Sequence, residues 1–251
     1  MAFINSEVRL FFMKQQAIYK DSAKYYDLLY PDKDYKKESD KIRQIIKRYK
    51  KTGGNDLLEL ACGTGRHAQF LKRDFSVLAT DINVGMLRVA RKSIKGVVFG
   101  QADMVNLNLG KRFDVVLCLF SSIAYVRTYA NLKKTFRNIA RHLKTGGVVI
   151  IDPWRSKASF KTGSHLTAYD SESLKITVLA LAKMRRNLSI TDDHYLIAEK
   201  TKDIRYMVDR HEMGLFERKN TLRAMRDAGL RAIFLKNGLR TNRGSYVGIK
   251  K

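Results

Sequence analysis

The chain has 251 residues, and its hydrophobic content of 45% is ordinary for a chain that buries a core. This length suits one large domain or a domain with a substantial insertion, and the composition excludes wholesale disorder. No apolar run approaches the roughly 18 to 20 residues that cross a bilayer. Residues 1–18 lack a cleavage-site pattern, so we expect no signal peptide and no membrane partner.

The net charge and the cysteine content indicate which binding partners and which cellular location to expect. Forty-nine Lys and Arg residues face 24 Asp and Glu residues, which gives a net charge of +25. The charge is spread along the chain without a basic tail. We interpret it first as a solvated basic surface, although a phosphorylated small molecule or a nucleic acid would also fit. The two cysteines, Cys62 and Cys118, cannot make a disulfide framework or a four-ligand zinc site, so we expect a cytoplasmic protein without a metal site.

The predicted elements alternate between helix and strand. Residues 40–51 form an amphipathic helix that ends at Gly53 and Gly54. Strands are then predicted at residues 57–61, 76–80, 97–100, 113–119 and 148–152, with helices around residues 68–73, 84–92 and 132–143. Apolar strands that alternate with helices are typical of a parallel, doubly wound α/β sheet.

The pattern changes after Pro153. Residues 160–216 contain alternating, β-branched runs that predict an antiparallel insertion. A helix over residues 220–228, closed by Gly229, and a last strand over residues 246–249 complete the predicted order.

The sharpest motif is residues 59–67, ELACGTGRH, where the first buried strand runs into a loop and then a helix. Gly63 and Gly65 let the backbone turn tightly and approach a ligand. The spacing also satisfies the nicotinamide dinucleotide fingerprint, which leaves a dehydrogenase open. Glu59, Asp81 and Asp103 are acidic residues in or just after three successive strands. Asp81 is placed to bind a ribose diol and Asp103 an exocyclic adenine amine, with Met104 packing on the ring.

Together these residues resemble the class I methyltransferases that depend on S-adenosylmethionine. Further segments match, in order, the nucleotide-linked aminosugar N,N-dimethyltransferases of macrolide biosynthesis: residues 26–30 with 33–35, residues 120–125, residues 146–154 and residues 242–248. The likeness runs from about residue 19 to residue 249. It implies a Rossmann-like, doubly wound sheet with a small antiparallel insertion that covers the active site.

The resemblance also implies a division of the chain. Residues 1–55 would be an N-terminal helical lid, and residues 56–155 the cofactor-binding core. Residues 156–216 would be the antiparallel insertion over the substrate site, and residues 217–251 a C-terminal helix and strand that complete the core. A homodimer through the antiparallel layer fits the same likeness.

Carried over residue by residue, the likeness implies a site. S-adenosylmethionine would be bound by Tyr26, Tyr35, Glu59, Ala61, Gly63, Gly65, Asp81, Ile82, Met86, Ala102, Asp103, Met104, Phe120 and Ser121. Within this set, Tyr26 and Tyr35 would close over the cofactor, and Glu59 would line its methionine end. Arg243 would pair with the nucleotide diphosphate, and Trp154 would also contact substrate.

The expected reaction is an in-line methyl transfer to an amine, which must be neutral to attack. We expect Tyr125 and His211 to orient this amine, with Tyr19 closing as a lid. A core-packing role for Tyr19 and an ordinary sheet role for His211 stay open. The alternatives are methylation of RNA or protein through the basic surface, methylation of glycine or another small amine, and cofactor binding without catalysis.

Overall fold

The computed structural model describes residues 23–240 and 243–251. Tyr19, the predicted lid residue, lies outside the described residues. The α-helices are α1 (Tyr35–Tyr49), α2 (Arg66–Leu71), α3 (Val84–Ser93), α4 (Tyr129–His142) and α5 (Arg218–Asp227), and two 3-10 helices span Ala23–Leu29 and Ser122–Val126. Within the described ranges, no helix combines the length and the apolar character that a membrane crossing requires.

The central sheet has seven strands in the order β10-β11-β5-β4-β1-β2-β3. The strands are β1 (Asp56–Leu60), β2 (Ser76–Asp81), β3 (Val98–Gln101), β4 (Phe113–Cys118), β5 (Leu143–Ile151), β10 (Leu230–Arg240) and β11 (Gly244–Lys250). Strands β1 to β5 pair in parallel, and β11 is antiparallel to both of its neighbours. The strand order reverses between β1 and β4, and ligands of doubly wound sheets bind at this switch point.

Alternating side chains of the central strands pack on opposite faces of the sheet. Val116 and Cys118 of β4 join the core under α4 and α5, whereas Val115 and Leu117 join the core under α1, α2 and α3. Both faces are therefore covered by helices, which explains why the central strands are apolar runs rather than alternating ones. The predicted doubly wound α/β fold is confirmed.

A second sheet of four antiparallel strands has the order β6-β7-β8-β9. These strands are β6 (Gly163–Asp170), β7 (Leu174–Arg185), β8 (Leu188–Glu199) and β9 (Arg205–Gly214). Tyr25 of the first 3-10 helix packs in one buried cluster with Ile176, Val178, Tyr195 and Ile197 of this sheet. The contact joins the residues before α1 to the inner face of the predicted insertion.

The central sheet differs from the sequence prediction in two places, its C-terminal strands and the start of β5. One final strand was predicted, but two are present, because β10 precedes β11 and pairs with it. Strand β10 lies at the sheet edge and mixes charged residues with apolar ones, so its pattern is weak. Strand β5 begins at Leu143 rather than at residue 148, since an irregularity in its pairing with β4 accommodates Gly146 at φ 80°.

Candidate active site

A cavity of about 320 Å³ opens at the carboxyl ends of β1, β2 and β4, beside strand β9 of the second sheet. Eleven residues of the predicted site line it: Tyr26, Tyr35, Glu59, Ala61, Gly63, Asp81, Ile82, Met86, Met104, Phe120 and Tyr125. These residues come from six separate segments of the chain. The fold thus brings most of the predicted cofactor site to one place.

A smaller adjoining cavity of about 100 Å³ lies against the turn after β3. Ala102 and Asp103 line it together with Met104 and Ile82. The Asp103 carboxylate accepts hydrogen bonds from the Val105 backbone N–H at 2.9 Å and from the Asn106 side chain at 2.6 Å. Asp103 therefore holds its own turn, and its carboxylate lies beside the larger cavity rather than in its wall.

The Asp81 carboxylate is held rigidly where β2 ends. One oxygen accepts a hydrogen bond from the Gly63 N–H and the other from the Asn83 N–H, each at 2.8 Å. Burial raises the pKa of Asp81, although these backbone hydrogen bonds oppose the shift. The glycine loop and the acidic residue of the next strand are thus one hydrogen-bonded unit.

The two loop glycines are required for different reasons. Gly63 has φ 56°, and a Cβ added there would meet no atom within 4 Å, so its backbone borders open cavity space. Gly65 has φ 77°, and a Cβ there would lie 3.0 Å from both Ile94 and Phe99. Gly65 does not line the cavity; it permits the turn and the close packing of α2 on the sheet.

Glu59 is almost completely buried at 1% exposure on the cavity floor. Its Oε2 atom has no hydrogen-bond partner among the described residues. Burial, and next the charge of Asp81, raise the pKa of Glu59 to about 8. This carboxyl suits a positively charged or hydrogen-bond-donating ligand group, which would restore its ionised form.

His67 lies beneath the glycine loop between two acids. Its Nε2 atom is 2.8 Å from Glu38 Oε2, and its Nδ1 atom is 3.8 Å from Glu59 Oε1. Burial alone would raise the pKa of Glu38, but hydrogen bonds from His67 and Lys33 outweigh burial and lower it to about 2. Helix α1 is thereby connected to the cavity floor through polar side chains.

Strained backbone concentrates around the cavity. Five described residues other than glycine have positive φ, and four of them border the site: Ala61 (52°), Phe120 (50°), Ser121 (66°) and Arg127 (61°). Side chains disfavour this region by about 1–2 kcal/mol per residue. Such conformations persist where the surrounding structure enforces them, and they cluster at functional sites.

The predicted catalytic pair is in direct contact. Tyr125 belongs to the 3-10 helix Ser122–Val126, and its hydroxyl is hydrogen-bonded to His211 Nδ1 at 2.9 Å. His211 lies on β9, so the pair joins the central core to the second sheet. Tyr125 lines the cavity, whereas His211 stands behind it.

The two predicted substrate residues also meet, beside the cavity rather than in its wall. Arg243 lies over the Trp154 ring at 4.7 Å and donates a hydrogen bond to Ser121 Oγ at 2.7 Å. Ser121 in turn donates to the carbonyl oxygen of Pro153 at 3.0 Å. A guanidinium is therefore fixed next to Phe120, at the ends of β4 and β5.

The sequence did not predict three of the charged residues that line the cavity. Arg127, Arg210 and Glu212 line the cavity, and Arg127 donates to Glu212 at 3.1 Å. Arg210 forms two hydrogen bonds with Asp192, at 2.6 and 3.0 Å. Residues 210 and 212 reach the site only through the pairing of β9 with β8. No local motif marks them.

Comparisons with known proteins agree with this geometry. Residues 57–147 match the family model described as a methyltransferase domain. The dTDP-3-amino-3,4,6-trideoxy-alpha-D-glucopyranose N,N-dimethyltransferase of Streptomyces venezuelae is 31% identical over 235 residues, which cover 91% of this chain and 98% of the relative. The chain belongs to the aminosugar N,N-dimethyltransferase family. It is therefore a methyltransferase that uses S-adenosylmethionine.

Two further matches support the assignment of this methyltransferase. The dTDP-4-amino-2,3,4,6-tetradeoxy-D-glucose N,N-dimethyltransferase of Saccharopolyspora spinosa is 31% identical over 245 residues, 95% of this chain and 97% of the relative. The structure of the sugar N-methyltransferase KedS8 from a Streptoalloteichus species superposes with a TM-score of 0.84 at 32% identity, covering 90% of this chain and 92% of KedS8. The dTDP-sugars in the names of the Streptomyces and Saccharopolyspora relatives carry their amino groups at positions 3 and 4, respectively.

The residues present fit the methyltransferase cofactor. The Glu59 carboxyl belongs to the cavity lining and has an oxygen atom without a hydrogen-bond partner among the described residues. Gly63 leaves space for close approach, and Asp81 is held in place at the neighbouring strand end. A cationic amino acid moiety and a ribose diol match these groups in charge and hydrogen bonding.

Proposed function

We propose that this methyltransferase methylates the amino group of a dTDP- or UDP-linked aminosugar. The main support is the 31% identity, over 91% of the chain, to an enzyme named for that reaction class. The fixed guanidinium of Arg243 beside the cavity supports a substrate that carries a diphosphate.

In the proposed cofactor site, Glu59, Ala61 and Gly63 bind the methionine end. Asp81 binds the ribose, and Asp103 with Met104 binds the adenine. Two observations support these assignments. Five of the six residues line the main cavity, and the sixth, Asp103, lines the adjoining smaller cavity. Tyr26 and Tyr35 line the same wall and close over the bound molecule.

The cofactor supplies a methyl group that is already activated on a sulfonium, so the chain's task is to position the amine and exclude water. Tyr125, which is held by its hydrogen bond to His211, keeps the amine nitrogen in line with the methyl group. Phe120 and Tyr26 provide apolar surface, which favours the neutral form of the amine because burial disfavours charge. The antiparallel insertion covers this substrate site.

On the substrate side, Arg243 pairs with the diphosphate, and the Trp154 ring fixes the guanidinium plane. Arg243 already donates to Ser121, so a phosphate oxygen would meet a preorganised donor group. We expect Arg243→Ala to weaken binding of the nucleotide by at least tenfold, about 1.5–3 kcal/mol for a hydrogen bond to a charged group.

The test is calorimetric titration of thymidine diphosphate and uridine diphosphate at physiological salt, with S-adenosylhomocysteine saturating. We expect micromolar binding that Arg243→Ala greatly weakens and that the exposed control Arg231→Ala leaves unchanged. If neither nucleotide binds while the cofactor product binds normally, the nucleotide-sugar proposal is wrong.

We also propose a homodimer through the outer face of the antiparallel sheet. Leu166, Leu179, Leu196 and Tyr206 on this face are 49–66% exposed. Leu166 is paired with Leu179 and Leu196 with Tyr206, so the apolar side chains are cross-strand neighbours. A second copy would bury this patch. Because Cys62 and Cys118 are both free thiols, a cytoplasmic location is proposed as well.

A further inference from the structure

A line of three polar side chains leads from the cavity into the antiparallel sheet. Tyr125 lines the cavity and is hydrogen-bonded to His211 Nδ1 at 2.9 Å. On the far side of the ring, His211 Nε2 lies 3.4 Å from Asp193 Oδ2. Asp193 belongs to β8, and neither the glycine motif nor the strand ends point to it.

The surroundings of the imidazole are acidic. Asp193 is paired in register with Asp209 of β9, which is completely buried. Asp193 Oδ1 is buried and has no hydrogen-bond partner among the described residues. Among the described residues, Tyr125 of the 3-10 helix and Asp193 of β8 contact the His211 ring. Asp209 of its own strand is paired with Asp193, and Tyr195 of β8 is close to both of these carboxylates. The His211 ring should therefore direct an N–H donor toward the Asp193 carboxylate.

We infer that Asp193 is a positioning residue that keeps the His211 proton on Nε2 and thereby makes the Tyr125 oxygen an acceptor toward the cavity. A ring with its proton on Nε2 donates toward Asp193 and presents a lone pair at Nδ1. The Tyr125 hydroxyl must then donate to Nδ1. The Tyr125 oxygen then offers lone pairs, rather than its proton, toward the cavity, and a lone pair can accept a hydrogen bond from the N–H group of an amine.

This inference rests on the proposed amine substrate, and it also accounts for the proton. A substrate ammonium passes a proton to the Tyr125 oxygen while the Tyr125 proton moves to His211 Nδ1, which leaves a neutral amine and an imidazolium facing Asp193. The amine lone pair forms the new N–C bond as the methyl–sulfur bond breaks and its electron pair goes to sulfur. The imidazolium then releases its proton to solvent, which restores the neutral ring. The product amine carries the positive charge, so a second methylation needs the same proton removal again.

The first test needs no substrate. In the wild-type protein, ¹⁵N chemical shifts of the His211 ring are expected to report a protonated Nε2 and an unprotonated Nδ1. In Asp193→Asn, which removes the charged acceptor, both tautomers are expected. Protonated Nδ1 in the wild type, or identical ring shifts in the two proteins, would overturn the inference even if no methyl acceptor had been found.

The second test is a double-mutant cycle on methyl transfer to a nucleotide-linked aminosugar. We expect Asp193→Asn to lower kcat about 10- to 100-fold, a part of what a positioned proton acceptor contributes, with the KM of the cofactor unchanged. Tyr125→Phe should lower kcat similarly, and the double variant should be no slower than Tyr125→Phe alone.

The matched control is Asp170→Asn, an exposed carboxylate on β6 of the same sheet, which should keep wild-type kinetics. If the effects of Asp193→Asn and Tyr125→Phe on kcat multiply in the double variant, Asp193 has a structural role only. The same holds if Asp193→Asn raises KM as much as it lowers kcat and also lowers Tm. A wild-type protein that methylates no nucleotide-linked aminosugar would contradict the proposed function instead. The ¹⁵N chemical shifts of the His211 ring would still test the role of Asp193.

Discussion

At the scale of single residues, Glu59 lowers the stability of the folded protein near pH 7 but suits the binding of the cofactor. Its carboxyl is buried, and its pKa is raised from 4.5 to about 8, so the folded protein binds a proton that the unfolded chain has lost. The free energy of unfolding therefore falls as pH rises from about 4.5 to 8. Near pH 7 the cost is on the order of 3 kcal/mol in the absence of ligand.

Glu59→Gln should remove this cost. We expect the variant to be more stable than the wild type near pH 7, with a flat pH dependence over this window, and to bind S-adenosylhomocysteine at least about tenfold more weakly. Urea unfolding at several pH values and calorimetric titration measure the two effects. A variant that is less stable at pH 7 and binds normally would contradict this account of Glu59.

Glu38 should behave in the opposite way. Its pKa is lowered to about 2, so its contribution is present above about pH 4.5 and is lost as pH falls toward 2. We expect Glu38→Gln to destabilise the protein at neutral pH, because His67 and Lys33 lose a charged partner. Equal stability of this variant and the wild type in urea at pH 7 would show that the pairing contributes nothing.

At the scale of elements, the two glycines of the loop before α2 allow a matched comparison. Gly65→Ala should cost about 2–4 kcal/mol, since the new Cβ meets Ile94 and Phe99 at 3.0 Å and φ is left-handed. Gly63→Ala should cost about 1 kcal/mol, from φ alone, but should weaken cofactor binding because the Cβ enters the cavity. Thermal unfolding and calorimetry distinguish the two, and the reverse ranking of stabilities would be inconsistent with this loop geometry.

The sequence predicted the elements that carry a local signal. Glu59, Asp81 and Asp103 could be placed because each lies in or just after an apolar strand, and parallel strands present their ends at one edge. Strand β10 was missed because it is an edge strand with mixed polarity. Asp193, Arg210 and Glu212 were missed because only the long-range pairing of β8 with β9 brings them to the site. Asp193 could have been found from its spacing, because it lies two residues before Tyr195 and four before Ile197, and alternate residues of a strand face the same side of the sheet.

At the scale of the whole molecule, the exposed apolar face of the antiparallel sheet predicts the oligomeric state. We expect a dimer that Leu179→Lys dissociates, because an unpaired charge would be buried in the interface. Leu179 is 53% exposed, so the monomer's own stability should change by less than about 0.5 kcal/mol. Analytical ultracentrifugation measures the mass of each species.

The control for that experiment is Val98→Lys, at an apolar position on edge strand β3 of the other sheet that is 66% exposed. It should leave the dimer intact. A wild-type monomer at all concentrations, or dissociation by both variants, would be incompatible with an interface on the antiparallel sheet.

The proposed reaction of this protein is methyl transfer to an amino group on a nucleotide-linked sugar. The most direct measurement is mass spectrometry of 3-amino and 4-amino dTDP-deoxysugars after incubation with the protein and S-adenosylmethionine. We predict products heavier by one and then two methyl groups, formed with a matching yield of S-adenosylhomocysteine and greatly slowed by Arg243→Ala. Unchanged aminosugars, with the cofactor bound but not consumed, would contradict the proposed reaction.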